Sequence, residues 1–279
     1  MKEIAPNIYI EQNSLGLFTG IIQSDDGMVL IDSPLRQLEG GLWKGSADQS
    51  EYSYKCYMIV LDTNYDRLLS IKGSDCAIVA QSDAISPIRS RPPRISEDYQ
   101  QRVENSETVV SGNRMLPPEI IFDSELSLHV GSLLVDLAHH PGSNQAGVWV
   151  TIPERKVVFV GDTVVVDQPP FIAYSNLETW EQDLKLLSSG EFKDYQIVSS
   201  RSGVVDREQV KTMSKHIAAI RAIIDSLKES KAPIEDWYNK IPQILSRFSQ
   251  LDLFNSEIFY NRLHWGITTY YDFIGHEKG

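Results

Sequence analysis

The sequence predicts a mixed α/β (α+β) fold in which two β-sheets pack face to face with helices outside them, a four-layer αββα sandwich. Two observations carry this prediction. Short apolar runs of strand length precede amphipathic segments of helix length, and this order occurs twice along the chain. Several of these runs are apolar throughout, as in strands that are covered on both faces.

The first half of the chain supplies the first set of strands. An apolar run at 28–31 ends at Asp32-Ser33-Pro34, where proline has no N–H to donate to a neighbouring strand. A second buried strand at 57–61 leads into the polar segment 62–67, and a third is predicted at 76–80. Residues 86–113 are rich in Pro, Ser, Arg and Glu, so we expect a surface excursion there.

The second half repeats this order. Strands are predicted at 120–122, 126–128, 133–137, 148–150, 156–160 and 195–198. A helix is expected to begin near Asn176, and Asp206 is expected to cap a long helix. With amphipathic segments at 241–251 and 258–274, this makes a C-terminal helical region from about residue 206. We expect one domain over residues 1–279.

Charge and hydropathy limit the partners. The 279 residues include 38 Asp plus Glu against 26 Lys plus Arg, a formal net charge of −12, which repels phosphate backbones. We therefore expect no nucleic-acid partner. No apolar run approaches the ~20 residues of a membrane span, so we expect no membrane either. A small molecule or a protein remains as partner, and the sequence leaves open whether the chain forms oligomers.

The chain contains two cysteines, Cys56 and Cys76. The N-terminal residues lack the apolar core of a signal peptide. Two cysteines in a chain of this size without an export signal predict reduced, buried thiols and a cytoplasmic location.

Four polar segments follow predicted strands, and sites in such sheets lie beyond the carboxyl ends of strands. They contribute the candidate site residues Asp62, Asn64, Asp66, Arg67, Ser143, Asp162 and Arg201. His139 and His140 lie just before one segment, and either is a candidate general base. A partly exposed loop pair without a catalytic role is the alternative, and it is favoured.

Three stretches resemble motifs of the metallo-β-lactamase superfamily. Residues 27–33 are similar to its strand motif G-x-x-L-I-D-T/S. Residues 141–147 and 152–163 are similar to P-G-H-T-P-G-S followed by L-P-E-x-K-V-L-F-x-G-D-T, and residues 197–208 to V-V-P-G-H-G-P-V-x-D-R-E. The resemblance covers nearly the whole chain and implies the αββα fold, hydrolase ancestry and a dinuclear metal site.

The departures from that family fall on its metal ligands. Its H-x-H-x-D-H signature corresponds to residues 62–67 here. The family's histidine positions hold Asp62, Asn64, Arg67, Ser143 and Arg201. Only the carboxylates Asp66 and Asp162 match the family's ligands. The resemblance therefore implies a degenerate site that has lost every metal-binding histidine.

Zinc and iron prefer imidazole or thiolate ligands, and arginine has no lone pair to offer. We therefore expect no metal and no other cofactor. Arg67 and Arg201 are instead expected to pair with the carboxylates of Asp62, Asp66 and Asp162. The alternative is a single divalent cation, Mn, Mg or Zn, bound by oxygen ligands. Its candidate ligands are Asp62, Asn64, Asp66 and Asp162.

Two function classes follow. The first is a pseudo-hydrolase, a scaffold of hydrolase ancestry that binds a ligand or a partner without catalysis. The second is an active hydrolase of an ester, thioester, lactone or phosphoester that uses a non-standard, oxygen-ligated metal. Because function depends on the residues of the site rather than on the fold, the first is favoured. No Gly-x-Ser-x-Gly elbow supports a third reading, a serine nucleophile.

Overall fold

The computed structural model describes residues 1–12, 16–32, 55–64, 67, 76–89, 117–248 and 253–276. The strands in these ranges are β1 (Lys2–Ala5), β2 (Ile8–Gln12), β3 (Phe18–Ser24), β4 (Gly27–Ile31), β5 (Lys55–Ile59), β6 (Ala77–Gln81), β7 (Ile120–Phe122), β8 (Glu125–Val130), β9 (Leu133–His139), β10 (Val148–Ile152), β11 (Val157–Phe159), β12 (Gln196–Ser199) and β13 (Gly203–Val205). The α-helices are α1 (Ile85–Arg89), α2 (Leu177–Leu187), α3 (Arg207–Glu229), α4 (Ile234–Tyr238), α5 (Ile241–Leu245) and α6 (Leu253–His276).

The strands form two sheets. The first has the order β1-β2-β3-β4-β5-β6-β7, and the second has the order β13-β12-β11-β10-β9-β8. In the first sheet β1 to β4 are antiparallel neighbours, while β4 to β7 are parallel. In the second sheet β11 and β12 are parallel. The carboxyl ends of β4 and β5 therefore meet at one edge of a sheet, as do those of β11 and β12.

The two sheets pack face to face on one apolar core. It includes Val29 and Ile59 from the first sheet, and Val150 and Phe159 from the second. The approach is close at Gly20, where a Cβ atom would lie 2.6 Å from the Phe159 ring, so glycine is required there. A second apolar cluster joins β5, β6 and α1. This mixed fold with two sheets and helices confirms the predicted sandwich.

Contacts among the described residues divide the chain into two compact units. The first unit comprises Met1–His139, Ala146–Gly161 and Tyr195–Val204 and holds both sheets, apart from the last residue of β13. The second unit comprises His140–Gln145, Asp162–Asp194 and Val205–Gly279 and holds α2 to α6. The expectation of one domain stays a prediction.

The helix starts of the second unit follow local sequence signals. The Asn176 side chain accepts a hydrogen bond from the N–H of Thr179 and caps α2. Asp206 and Gln209 form a reciprocal capping box at the start of α3. Both predicted starts are confirmed. The C-terminal boundaries differ, because the helix predicted at 241–251 ends at residue 245 and the last helix begins at residue 253. None of the helices described is long and apolar enough to cross a membrane.

Most of the predicted excursion at 86–113 lies outside the described residues. Residues 86–89 belong to α1 rather than to a loop. The Ile88 side chain is buried in an apolar cluster with Ile78 and Ala80 of β6 and with Val60, the residue after β5.

Cys56 and Cys76 form a disulfide, so the prediction of reduced thiols is wrong. Tyr57 pairs with Ala77 between the parallel strands β5 and β6, and each cysteine directly precedes its member of this pair. The two Cα atoms are 4.4 Å apart, within reach of a disulfide. Strand register brings the thiols together, and neither cysteine count nor spacing reveals register.

Candidate functional site

A buried arginine lies between two carboxylates in the first unit. The Arg67 Nε atom donates a hydrogen bond to Asp32 Oδ2 at 3.0 Å, and its Nη1 atom lies 3.3 Å from Asp62 Oδ1. The side chains of Arg67, Asp32 and Asp62 are 1%, 5% and 2% exposed. Because charges this deep are poorly solvated, the guanidinium offsets a repulsion that the two carboxylates would otherwise exert on each other.

Asp32 is positioned by the end of β4. Its N–H donates to the carbonyl oxygen of Ile59 at 2.9 Å, and its Oδ1 atom accepts from the N–H of Leu61 at 2.9 Å. The carboxylate thus continues the hydrogen bonding between β4 and β5 after β4 has ended. Asp32 has a φ of 51°, which non-glycine residues seldom adopt. The second oxygen of the carboxylate faces Arg67.

Hydrogen bonds to Asn64, after the end of β5, position the other two members. Asp62 Oδ1 accepts from the N–H of Asn64 at 2.8 Å, and the N–H of Arg67 donates to the Asn64 carbonyl oxygen at 2.9 Å. Asn64 itself is buried. Both charged residues are thus bonded to the same backbone unit. The ion pair predicted between Arg67 and Asp62 is therefore present, whereas Asp32 is a partner that was not expected.

The ends of β11 and β12 meet this ion-pair cluster within the same unit. The Ser200 hydroxyl lies 3.4 Å from Asp32 Oδ2, and its N–H donates to the Gly161 carbonyl oxygen at 3.0 Å. A Cβ atom at Gly161 would lie 3.5 Å from Asp62 Oδ2. The segments after β4, β5, β11 and β12 therefore converge, as the rule for strand ends predicts.

The contacts described say less about two further predicted site residues, Arg201 and Asp66. Arg201 is half-buried, and its N–H donates to the Ser199 hydroxyl oxygen at 3.2 Å. The ion pair expected for its guanidinium stays a prediction. Asp66 lies outside the described residues, so its expected pairing or ligand role stays a prediction too.

The second unit holds Ser143, Asp162 and His140. Ser143 and Asp162 are buried. The Trp180 indole N–H of α2 donates to the Thr163 carbonyl oxygen at 2.8 Å and anchors the segment that begins with Asp162. Their grouping with Asp62 or Arg201 stays a prediction.

An imidazole in the second unit faces a buried carboxylate. His140 Nδ1 lies 2.8 Å from Asp183 Oδ1, and Asp183 Oδ2 accepts from the N–H of Gly142 at 3.2 Å. A carboxylate at Nδ1 fixes the ring orientation and favours the tautomer protonated at that nitrogen. His139, at the end of β9, is half-buried and belongs to the first unit. Of the two candidate bases, His140 is the one oriented by a carboxylate in the contacts described.

The residues do not fit the metal centre that the family resemblance implies. Arg67 presents a fixed positive charge and no lone pair, and it already engages Asp62 Oδ1. Within the described ranges, no group of three or more His, Cys, Asp and Glu side chains is arranged to hold a metal ion. A pair of dications at this position would face the guanidinium directly.

Sequence reasoning missed Asp32 and Asp183. Asp32 stands at the end of a buried strand, inside a motif that had been recognised, so the rule for strand ends could have included it. Asp183 lies on the buried stripe of α2 with Leu177, Trp180, Leu184 and Leu187. A charged residue on an apolar helix stripe signals a buried partner, although the sequence does not say which one.

Comparison with known proteins agrees with this fold. Residues 83–195 match the model of the metallo-beta-lactamase superfamily. The structure resembles a metallo-beta-lactamase from Pontibacter korlensis, with 14% identity and a TM-score of 0.57 over 78% of this chain and 97% of that one. It also resembles DIM-1 metallo-beta-lactamase, with 13% identity and a TM-score of 0.55 over 78% and 96% of the two chains.

A third similar structure is a double mutant of the sec-alkyl sulfatase PisA1, with 11% identity and a TM-score of 0.60 over 96% of this chain and 49% of that one. A search of curated proteins finds no match. The structure has the metallo-beta-lactamase fold, and the match to the family model covers residues 83–195. At identities of 11–14%, the similar structures support the fold alone. Activity depends on the residues of the site rather than on the fold.

Proposed function

We propose that this chain is a pseudo-hydrolase, a metallo-β-lactamase scaffold that binds a ligand or a protein partner without a dinuclear metal site and without hydrolysis. The observation that carries the proposal is the Arg67 guanidinium, buried between Asp32 and Asp62. It occupies the segment in which the family has its H-x-H-x-D-H ligands.

Electrostatics supports this proposal. A dication bound by Asp62 would share that carboxylate with a guanidinium that does not lose its proton. In a poorly solvated site, repulsion between like charges a few ångströms apart amounts to several kcal/mol. To relieve this repulsion, the Arg67 side chain would have to leave its buried position. The buried carboxylate of Asp32 would then lose its positively charged partner. With Arg67 in place, both buried carboxylates already have a positive charge beside them.

The proposed partner is a small molecule or a protein, because the net charge of −12 disfavours nucleic acid. Homo-oligomer formation is compatible with the proposal. We keep a cytoplasmic location as part of it, although the disulfide removes the argument from reduced thiols.

Metal analysis tests the proposal directly. Protein purified without a histidine tag should contain substoichiometric Zn, Mn and Fe, and its melting temperature should not change with EDTA or with added Mn²⁺. A ligand that binds the folded state alone raises the melting temperature, so a functional metal would be visible in this assay. A stoichiometric metal whose removal lowers the melting temperature would contradict the proposal.

A second candidate is an active hydrolase of an ester, thioester, lactone or phosphoester with one oxygen-ligated divalent cation. The observation that favours it is the His140–Asp183 pair, since an imidazole oriented by a carboxylate suits a base that takes a proton from water. If a metal is found, Asp66→Ala and Asp162→Ala should abolish its binding. His140→Gln should then lower hydrolysis of p-nitrophenyl esters, while His139→Gln, the neighbouring imidazole, should not.

A further inference from the structure

The disulfide lies at the start of two central strands of the seven-stranded sheet. Cys56 is in β5 and Cys76 directly precedes β6, and these strands are flanked by β4 and β7. At the other end of the same pair, the Val60 N–H donates to the Val79 carbonyl oxygen at 3.0 Å. The covalent link and the backbone pairing thus hold β5 and β6 together along their whole length.

The covalent ring contains the ion-pair segment. The two cysteines are 20 residues apart, and the chain between them includes Asp62, Asn64 and Arg67. Arg67 reaches Asp32 and Asp62 from inside this ring. A crosslink that closes a segment of this length removes much of the conformational freedom that the segment would have when it opens or unfolds.

The disulfide belongs to a small apolar cluster rather than to the main core. Cys76 packs with Ile21, Met28, Leu30 and Met58 on the face of the first sheet opposite the main core. Cys56 lies at the partly exposed border of this cluster. Small clusters near the surface open at a lower free energy than a main core does, so the crosslink matters more here than it would between core strands.

We propose that Cys56–Cys76 is a redox-sensitive latch that holds residues 57–64, and with them the Arg67 ion pairs, in place. A dithiol reductant attacks one sulfur through its thiolate, forms a mixed disulfide, and is then released as its own cyclic disulfide. Two electrons and two protons pass to the chain, which ends with two free thiols. Oxidation by a small-molecule disulfide reverses the step.

This chemistry is compatible with the proposed cytoplasmic location. Disulfides in reducing compartments are mostly transient and redox-sensing rather than permanent. The latch is independent of whether the chain hydrolyses anything, since its readouts are covalent state and backbone protection.

The first test counts thiols. Protein purified without reductant, then denatured and alkylated, should show no modified cysteine by mass spectrometry, and two after treatment with dithiothreitol. Reduction of the folded protein should lower the melting temperature by on the order of 10 °C. Two alkylated cysteines in the untreated protein, under air-saturated buffer, would overturn the proposal.

The second test measures whether reduction of the disulfide loosens the backbone near the Arg67 ion pairs. Hydrogen exchange of peptides covering 57–64 should accelerate at least several-fold on reduction, while peptides from α3 should not change. The double variant Cys56→Ala/Cys76→Ala should exchange like the reduced wild type and should not respond to dithiothreitol. If that variant fails to fold, the oxidised and reduced wild type still provide the comparison. Equal exchange of 57–64 in the two redox states would refute the latch.

Discussion

Two arginines of this chain each face more than one carboxylate, and burial distinguishes them. Arg67, in the first unit, is 1% exposed and contacts Asp32 and Asp62. Arg221, on α3 of the second unit, is 30% exposed and has three acidic neighbours. Both arginines thus have acidic neighbours, but water already solvates the site of Arg221.

The Arg221 cluster is an ordinary surface network between α2 and α3. Its Nη1 atom lies 2.9 Å from Glu181, Nη2 lies 3.7 Å from Glu178, and Nε lies 3.4 Å from Asp225. Glu178 is 68% exposed, and Asp225 is 47% exposed. Exposed pairs contribute little because their charges are solvated with or without a partner. We therefore expect desolvation to decide how much the fold depends on each arginine.

The largest expected effect comes from removing the buried cation. Arg67→Met should lower the free energy of unfolding by about 3–5 kcal/mol, because two buried carboxylates lose the charge that compensates them. Urea unfolding of the variant and the wild type at pH 7 measures the difference. A loss below about 1 kcal/mol would mean that the buried Arg67 stabilises the fold no more than an exposed arginine such as Arg221 does, which would contradict the role given to desolvation.

Arg67→Lys is the matched control for charge. A lysine keeps the positive charge but cannot contact two carboxylates with a planar fork. The loss should be about 1.5–3 kcal/mol, the value of one hydrogen bond to a charged group. A lysine variant as unstable as the methionine variant would show that geometry, rather than charge, carries the stabilisation.

A much smaller effect is expected on the surface. Arg221→Met, the same chemical change, should cost at most about 1 kcal/mol, and the difference from wild type should shrink further in 1 M NaCl. Urea unfolding at low and high salt measures it. A larger, salt-independent loss would mean that the exposed network is stronger than its solvation suggests.

The smallest effect on stability is expected from His216, a side chain that can lose its charge by releasing a proton. The His216 ring of α3 packs 4.6 Å from the Phe248 ring, and burial, followed by the nearby positive charge of Arg247, lowers its pKa below the usual 6.5. Below pH 6.5 the unfolded chain therefore binds this proton more readily than the folded chain does. Stability should be unaffected by this group above about pH 6.5 and should fall as the pH drops through the lowered pKa.

Thermal unfolding between pH 8 and pH 5 checks this pH dependence. His216→Gln should flatten the acid side of the profile, and its difference from wild type at pH 8 serves as the reference in which the imidazole is neutral. Parallel profiles for the two proteins over the whole range would contradict the expectation.

Patterns local in sequence account for most of what could be predicted. The strands predicted at 28–31 and 57–61 are observed at Gly27–Ile31 and Lys55–Ile59. These strands, the caps at Asn176 and Asp206 and the convergence of strand ends follow from hydropathy period, cap chemistry and parallel strand geometry. Arg67 and Asp62 are five residues apart, so their pairing could be expected from one segment. The resemblance to the family's motifs also predicted the order of the strands and the positions in this sequence that correspond to the family's metal ligands.

The partners that were missed are distant in sequence. Arg67 and Asp32 are separated by 35 residues, and His140 and Asp183 by 43 residues. The disulfide depends on the register of two parallel strands. In each case the residue types are plain in the sequence, but their proximity is created by strand pairing or helix packing.

The fold class, the acidic character and the absence of histidine from residues 62–67, 143 and 201 can be read from the sequence, because each is a property of residue identity and short-range period. The contacts of Arg67 with Asp32 and Asp62, the pairing of His140 with Asp183 and the Cys56–Cys76 disulfide become visible in the three-dimensional structure. These depend on contacts between segments far apart in the chain. Such contacts are selected by the burial of the whole core, and no single segment carries that information.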